Sequence, residues 1–598
     1  MRTPWRAEHR HAERDRLTVP QGLAALSLDA LASVAYGPEA IVVVLAVAGS
    51  HGLGFTLPVT LAIVVLLTAL TVSYRQVIAA FPDGGGAYAV AGRHLGRRVS
   101  LVAAASLIID YVLNVAVSVS AGVAALTSAF PGLYGSRVWL CVAVLALVTA
   151  VNLYGVAESA KVMILPTVVF IAAIFTVILI GLVRTHPVTQ PTHPAAVGTS
   201  TVGVLLLLRA FASGCSALTG VEAIANAVPT FRTPRVRRAQ RTEIGLGALL
   251  GTMLIGLSVL IGKFHVAPNS TKTVLAQLTD ASLGHNAGFY VVQFATMVLL
   301  ALAANTSFGG MPVLTSLLAR DNHLPHVFRL RADRQVYRYG VLVLAAFALL
   351  LLVVARGDTQ ALVPFFAIGV FIGFTLSQAG MVRHWYLEQS PGWHGRAALN
   401  GVGAVLTAAA TVIELVSKFH EGGWLVFLAI AVLVTLFEAV HRTYLRIGAA
   451  LRLGEVPGAP EPCHSLVVVP VGAVNRLTRE AIGAALSLGD EVRAVTVVHP
   501  DESRAVEEMT AAWNDWHPDV PLTVLHSRTR SLTRPIVDHL HAIQAENEHD
   551  RLVVLIPEAH LPRPWHRLLQ NQRGAVLDRA LRRHTDTVIC RLRFRLDL

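Results

Sequence analysis

The chain has 598 residues, 54% of them hydrophobic and only 14% charged, with a formal net charge of +12. Soluble globular proteins carry about 25% charged residues, so a wholly soluble chain is excluded. The basic residues are scattered between apolar runs rather than gathered on one face, which argues for cytoplasmic loops and against nucleic-acid binding.

The polar start, Met1 to Arg16, is followed by no short apolar core with a small-residue cleavage site, so the first apolar run is expected to be a retained span. Crossing a bilayer takes about 20 apolar residues. The pattern predicts twelve spans, at 24–48, 54–80, 98–129, 137–153, 159–183, 203–228, 244–264, 287–317, 338–355, 361–382, 396–417 and 423–441. Arginines alternate between the connections. Arg2, Arg6, Arg10, Arg14 and Arg16 precede span one, and Arg93, Arg97 and Arg98 follow span two. Arg232, Arg235, Arg237, Arg238 and Arg241 follow span six, and Arg320, Arg329, Arg331 and Arg334 follow span eight. Arg383, Arg442 and Arg446 lie beyond spans ten and twelve, whereas 50–54, 185–201 and 357–360 are poor in basic residues. This alternation places both termini in the cytoplasm of a multi-pass, bacterial-type plasma-membrane protein.

Two spans carry helix-breaking residues. Tyr36-Gly37-Pro38 falls near the middle of span one, where Pro38 removes a backbone donor. Span six contains Ser213-Gly214-Cys215-Ser216 and Thr219-Gly220, small and polar at membrane depth. Backbone groups freed at such a break need a neighbour or a ligand. First and sixth is the relation expected of five-helix inverted repeats, whose broken helices meet at a midplane site.

Few acids fall inside these spans, and each is expected to face the bundle interior. Asp29 lies on span one, two turns before Tyr36. Asp110 lies on span three, with Asn114 and Ser118 at i+4 and i+8 on its face. Glu222 follows Thr219 on span six. Glu438 reads as a helix-end acid and Glu414 as structural. Arg209 reads as an internal counter-ion or a snorkelling residue. Carboxylates lining the cavity would repel a substrate carboxylate and attract a monovalent cation. Like charges in a dry site do not all stay ionised, so one carboxyl is expected to hold a proton and couple it to transport.

After residue 453 the composition turns soluble. The expected domains are a cytoplasmic tail at 1–20, a transporter domain at 21–453, a Pro/Gly linker at 454–462 and a cytosolic α/β domain at 463–598. Strand-like runs at Ser465–Val469, Val492–Val498, Leu522–His526 and Leu552–Ile556 alternate with helix-like runs at Thr478–Leu488, Glu502–Trp513 and Leu532–Asn547. The alternation predicts a mostly parallel sheet, similar to a universal-stress-type domain. A homodimer through this domain is favoured over nucleotide sensing, for which Ser527 to Ser531 with Arg528 and Arg530 is the candidate anion site. Gly84-Gly85-Gly86 lacks the surroundings of a phosphate loop and reads as the turn closing span two. The four cysteines, Cys141, Cys215, Cys463 and Cys590, suggest neither a metal site nor a disulfide framework. No nucleophile with a base and no paired catalytic acid stands out, so no enzyme and no cofactor are expected.

Several segments together resemble the KUP potassium-uptake transporters of the APC superfamily, and within them the KimA-like branch. They are LSLDALASVAYGPEA (26–40), SYRQVIAAFPDGGGAY (73–88), DYVLNVAVSVSAG (110–122), SGCSALTGVEAIANA (213–227), LAANTSFGG (302–310), GVFIGFTLSQ (369–378) and VLHSRTRSL (524–532). The resemblance implies a LeuT-type all-α membrane domain of five plus five inverted-repeat helices and two more, about twelve in all. It implies import of potassium with protons. It assigns Asp29, Tyr36, Asp110, Tyr111, Ser118, Thr219 and Glu222 to cation binding or coupling, with potassium at Asp29, Asp110, Thr219 and Glu222. Phe366 departs from the family's pattern, which has a tyrosine there. The alternative within the superfamily is an amino-acid or polyamine permease, and a third class is a sensor that no longer transports.

Overall fold

The computed structural model describes residues 16–84, 86–154, 160–192, 202–330, 337–456, 458–459, 463–498, 503–527, 531–546, 551–560 and 573–595. Arg2, Arg6, Arg10, Arg14, Gly85, Arg331, Arg334, Arg528 and Arg530 lie outside the described residues, as does 193–201 of the Pro/Thr connection. The chain forms two compact units, Met1–Leu453 and Gly454–Leu598.

Among the described residues of the first unit, eleven helices are long and apolar enough to cross a membrane. The ninth expected span, Arg338–Val354, is a twelfth apolar helix of 17 residues, at the short end for a crossing. Span three (Arg97–Ala129) is the central post, with every residue from Val112 to Val123 buried. Span eight (Ala287–Arg320) runs against it, and Gly310 exists there because a Cβ would meet the Tyr111 ring at 2.6 Å. Spans four (Pro131–Tyr154), five (Val162–Val183), eleven (Trp393–Ser417) and twelve (Trp424–Ala450) lie outside, with Leu147, Val162, Val405 and Val432 exposed. An apolar exterior around a polar interior is the pattern that lipid selects. The interior polar groups bind one another. Ser73 Oγ donates to Gln378 Oε1 at 2.6 Å and contacts Asn400, while Trp385 Nε1 and Asn400 Nδ2 both donate to Gln76 Oε1 at 2.9 Å. These bonds fasten span two (Thr56–Ala80) to spans ten (Thr359–Glu388) and eleven.

Span seven differs from expectation. It begins at Arg235, not near 244, and runs to Phe264. The arginines that mark a loop in the sequence sit on the first turns of this helix, where Arg237 and Arg241 face outward. Gly84, with φ +89°, turns the chain after span two, as expected.

The second unit holds a five-stranded, all-parallel sheet in the order β3-β2-β1-β4-β5. The strands are β1 (Ser465–Pro470), β2 (Glu491–Val498), β3 (Leu522–His526), β4 (Arg551–His560) and β5 (Val588–Arg595). Alternate residues of β1 enter opposite cores. Val467 and Val469 pack with Ala481, Ile482 and Trp513, and Leu466 and Val468 with Ile536, Leu540 and Leu581. Helices therefore cover both faces, as parallel sheets require. The sequence pattern missed β5 and the helix Arg573–His584 before it. That strand alternates Cys590, Leu592 and Phe594 with Arg591, Arg593 and Arg595, the charged habit of an edge, so it presents no continuous apolar run.

Asp578 on that helix fastens the edge strand, accepting from Arg591 Nη2 at 2.7 Å and Arg582 Nε at 3.1 Å. Burial opposes its charge, but the two guanidinium groups outweigh burial and hold the carboxyl below its ordinary value. A depressed acid stabilises the fold above its unfolded value of about 3.9, and that stability is lost as pH falls through the folded value. Asp578→Asn is therefore expected to lower the unfolding midpoint of this unit at pH 7. The difference from the parent should close below about pH 4, as read by unfolding curves at both pH values.

Candidate functional site

Span one does not pass through the bundle as a single helix. Helix Val19–Leu26 stops at Ser27, Leu28–Ala32 continues into a 3₁₀ turn at Ser33–Ala35, and the helix resumes at Gly37. Span six breaks likewise. Val204–Gly214 tightens into a 3₁₀ turn at Cys215–Leu218, Thr219 is extended, and helix returns only at Ala223–Asn226. Pro38 explains the first break, and the run of small residues explains the second.

The two breaks meet. Ser33 Oγ donates to the Ala217 carbonyl at 2.7 Å, which satisfies a freed acceptor of span six. Gly37 lies where a Cβ would come within 2.5 Å of the Ala217 methyl group. Gly220 has φ +79°, and a Cβ there would stand 2.7 Å from Asp29 Oδ2 and 2.8 Å from the Ala30 nitrogen. Tyr36 Oη and Thr219 Oγ1 lie 3.4 Å apart. The residues expected from spans one and six thus share one buried junction.

Span three supplies the third wall. Asp110, Asn114 and Ser118 are all buried. Ser118 Oγ donates to Asn114 Oδ1 at 3.0 Å, and Asn114 Nδ2 donates to Ser307 Oγ of span eight at 2.9 Å. Asp110 and Asp29 each feel the Glu222 charge, and Asp110 feels Asp29 as well. Tyr111 is half-buried beside the same three acids. Asp29 Oδ1 and Glu222 Oε2 are buried without a hydrogen-bond partner. Three carboxyl groups gathered in a largely dry place cannot all stay ionised unaided, so the site suits a cation or a proton. No three His, Cys, Asp or Glu side chains among the described residues are grouped to hold a metal ion by themselves. A cation here would draw on hydroxyls and freed carbonyls as well as carboxylates.

The remaining expected residues fall elsewhere. Arg209 is exposed, which fits snorkelling and not an internal counter-ion. Glu438 pairs with Arg97 at 3.0 Å. Glu414 is buried and accepts from Ser213 Oγ at 2.7 Å, so it braces broken span six. Phe366 is fully buried on span ten, and Gly369, one turn on, lies against span three at Asp110. Ser527 Oγ donates to the Ser531 carbonyl at 2.9 Å.

Two acids were missed by the sequence pattern. Glu39 follows Pro38 in the resumed helix and accepts from the Val274 nitrogen at 3.1 Å. It lines a cavity of about 290 Å³, with Arg137, Lys272 and Asp358, at the end of the bundle away from Arg232, and the cavity reaches Tyr36. Its signal was a carboxylate one turn beyond a helix break. Glu243 is wholly buried on span seven. A boundary placed at 244 had left it outside the bundle, and only the helical continuation from Arg235 reveals it.

Known proteins share sequence with this chain. An amino acid permease family model matches residues 23–437, and the KimA potassium transporter C-terminal domain matches 462–594. The potassium transporter KimA of Bacillus subtilis is 38% identical over 573 residues, covering 95% of this chain and 94% of that one. A manganese transporter structure from Eremococcus coleocola superposes with a TM-score of 0.41 at 15% identity, over 72% of this chain and 95% of that one.

Gly220→Ala is expected to destabilise the protein by roughly 1–3 kcal/mol, because the left-handed backbone and the contact with Asp29 both exclude a Cβ. Thermal unfolding of the detergent-solubilised chain measures this. Gly262→Ala, whose Cβ would meet nothing within 4 Å, serves as the control.

Proposed function

The chain belongs to the KimA potassium transporters within the APC superfamily, and from that membership we propose that it imports potassium together with protons by alternating access. One observation carries the proposal: Asp29, Asp110 and Glu222 converge where the breaks of spans one and six meet span three. Potassium is a weakly hydrated, singly charged ion that accepts mixed oxygen ligands. The carboxylates of Asp29, Asp110 and Glu222 supply charge, and the hydroxyls of Thr219, Ser118 and Tyr36 supply neutral oxygen. The backbone is extended at Thr219, which interrupts the helical ladder beside these groups, while the Gly220 carbonyl accepts from the Ala223 nitrogen at 3.2 Å. Tyr111 closes the span-eight side against Gly310.

Three negative charges exceed what one potassium ion neutralises. The surplus supports movement of a proton alongside the potassium ion, which makes the cycle a symport. The arginine alternation supports cytoplasmic termini, so that a negative-inside potential of about 2.3 kcal/mol per charge per 100 mV drives uptake. Rocking of broken spans one and six against the fixed post of span three would expose the site to each side in turn. Phe366 in place of a tyrosine leaves the span-ten wall apolar, so coordination rests on spans one, three and six. The cytosolic sheet, with its switch point between β1 and β4, suits a dimerisation or regulatory unit, and a nucleotide at that edge would regulate rather than react.

An amino-acid permease of the same superfamily is the competing assignment. The acids weigh against it, since a substrate carboxylate would meet repulsion from Asp29 and Asp110. Rubidium uptake in cells lacking their own potassium systems separates the two. Asp110→Asn is expected to reduce rubidium uptake at least about tenfold with the protein still in the membrane, and Ser118→Ala to raise KM with less effect on kcat. Amino-acid counterflow without rubidium uptake would overturn the proposal.

A further inference from the structure

Span seven carries a carboxyl group that the cation site does not use. Glu243 is the ninth residue of helix Arg235–Phe264, about 12 Å from its start. Its neighbour Arg241 faces outward while Glu243 faces the bundle, at 0% exposure. Neither of its oxygens has a hydrogen-bond partner. An ionised carboxylate buried without a cation or a donor is among the most costly states a side chain can take. An acid so placed needs a proton or a cation.

Its surroundings link it to the transport site. The charge that bears on Glu243 is Glu222 of span six, whose Oε2 is likewise buried and unpartnered. Tyr74 of span two lies among Glu222, Glu243 and Asp110. The next residue, Arg75, has its Nε buried without a partner. Gln240, one turn before Glu243, donates to the Arg75 carbonyl at 2.9 Å, which holds span seven against span two one turn from Glu243. An acid without a partner and an arginine whose Nε has none thus stand on adjoining spans, about one turn apart along the helices.

We propose that Glu243 is the proton-carrying group of the transport cycle and that Arg75 is the counter-ion it takes when the proton leaves. The inference rests on the proton-symport reading above and names the acid responsible. In the loaded state the proton sits on Glu243 while Glu222 remains ionised toward the potassium ion. On release, the Glu243 O–H bond breaks, the proton passes to water on the side that holds the termini, and the electron pair stays as carboxylate charge. Arg75 then closes on that charge, so the empty carrier returns without a bare buried anion. A new proton arriving by way of Glu222 re-forms the O–H bond and frees Arg75.

The test uses the full-length protein in proteoliposomes, with two readouts: rubidium uptake driven by an inward proton gradient, and potassium–rubidium exchange without one. Glu243→Gln keeps the side-chain shape but releases no proton. It is expected to lose gradient-driven uptake by at least about tenfold while exchange persists, with partial recovery in Glu243→Asp. Arg75→Gln is expected to show the same separation. A wild type stimulated by the gradient with a Glu243→Gln variant stimulated equally overturns the proposal and leaves proton symport standing. A wild type that takes up rubidium but ignores the gradient removes proton symport, and this proposal with it. If Glu243→Gln does not assemble, Arg75→Gln decides alone, and full gradient stimulation in that variant overturns the assignment.

Discussion

A helix that breaks inside a membrane must find partners for its freed backbone, and in this protein two broken helices find them in each other. The Ser33 hydroxyl takes up the Ala217 carbonyl, and Gly37 and Gly220 remove the side chains that would hold the backbones apart. Neither break is tenable against lipid, where an unsatisfied amide or carbonyl costs several kcal/mol. The other spans therefore enclose the junction, and the protein's polar chemistry collects inside that enclosure.

The enclosure also makes carboxylates useful. Asp29, Asp110 and Glu222 would each be expensive alone in lipid. Together, with hydroxyls and interrupted backbone around them, they cannot all stay ionised unaided, and a cation or a proton relieves them. Interior bonds such as Ser73 to Gln378 and Glu414 to Ser213 fix the helices that carry the walls. Glu39 at one end and Glu243 toward the other extend the same chemistry beyond the central three acids.

The soluble unit obeys a different solvent. Its sheet is buried on both faces, so β1 is a near-continuous apolar run, and its edge at β5 is guarded by arginines. Asp578 answers one of those charges and joins the last helix to the last strand. The two units thus share a chain but not a folding logic: one hides polar groups from lipid, the other hides apolar groups from water.

The sequence by itself determined most of the spans, the two breaks, that Asp29, Asp110 and Glu222 lie inside them, and four of the five strands. These are local properties, since run length, Gly and Pro placement and residue periodicity act within one segment. Asp110, Asn114 and Ser118 share a face because helical spacing requires it, and the bond from Ser118 to Asn114 followed. Tertiary structure alone decided what depends on distant segments. Arg209 turned outward, Glu414 became a brace, and β5 paired although its arginines disguise it. Glu243 looked like a loop residue because arginines surround it in the sequence. Helical geometry sends those arginines outward and the acid inward, and only packing against spans two and six shows that it has no partner there. Solvation belongs to the folded neighbourhood and not to the residue, which is why the convergence of Asp29, Asp110 and Glu222 could be expected from spacing while the burial of Glu243 could not.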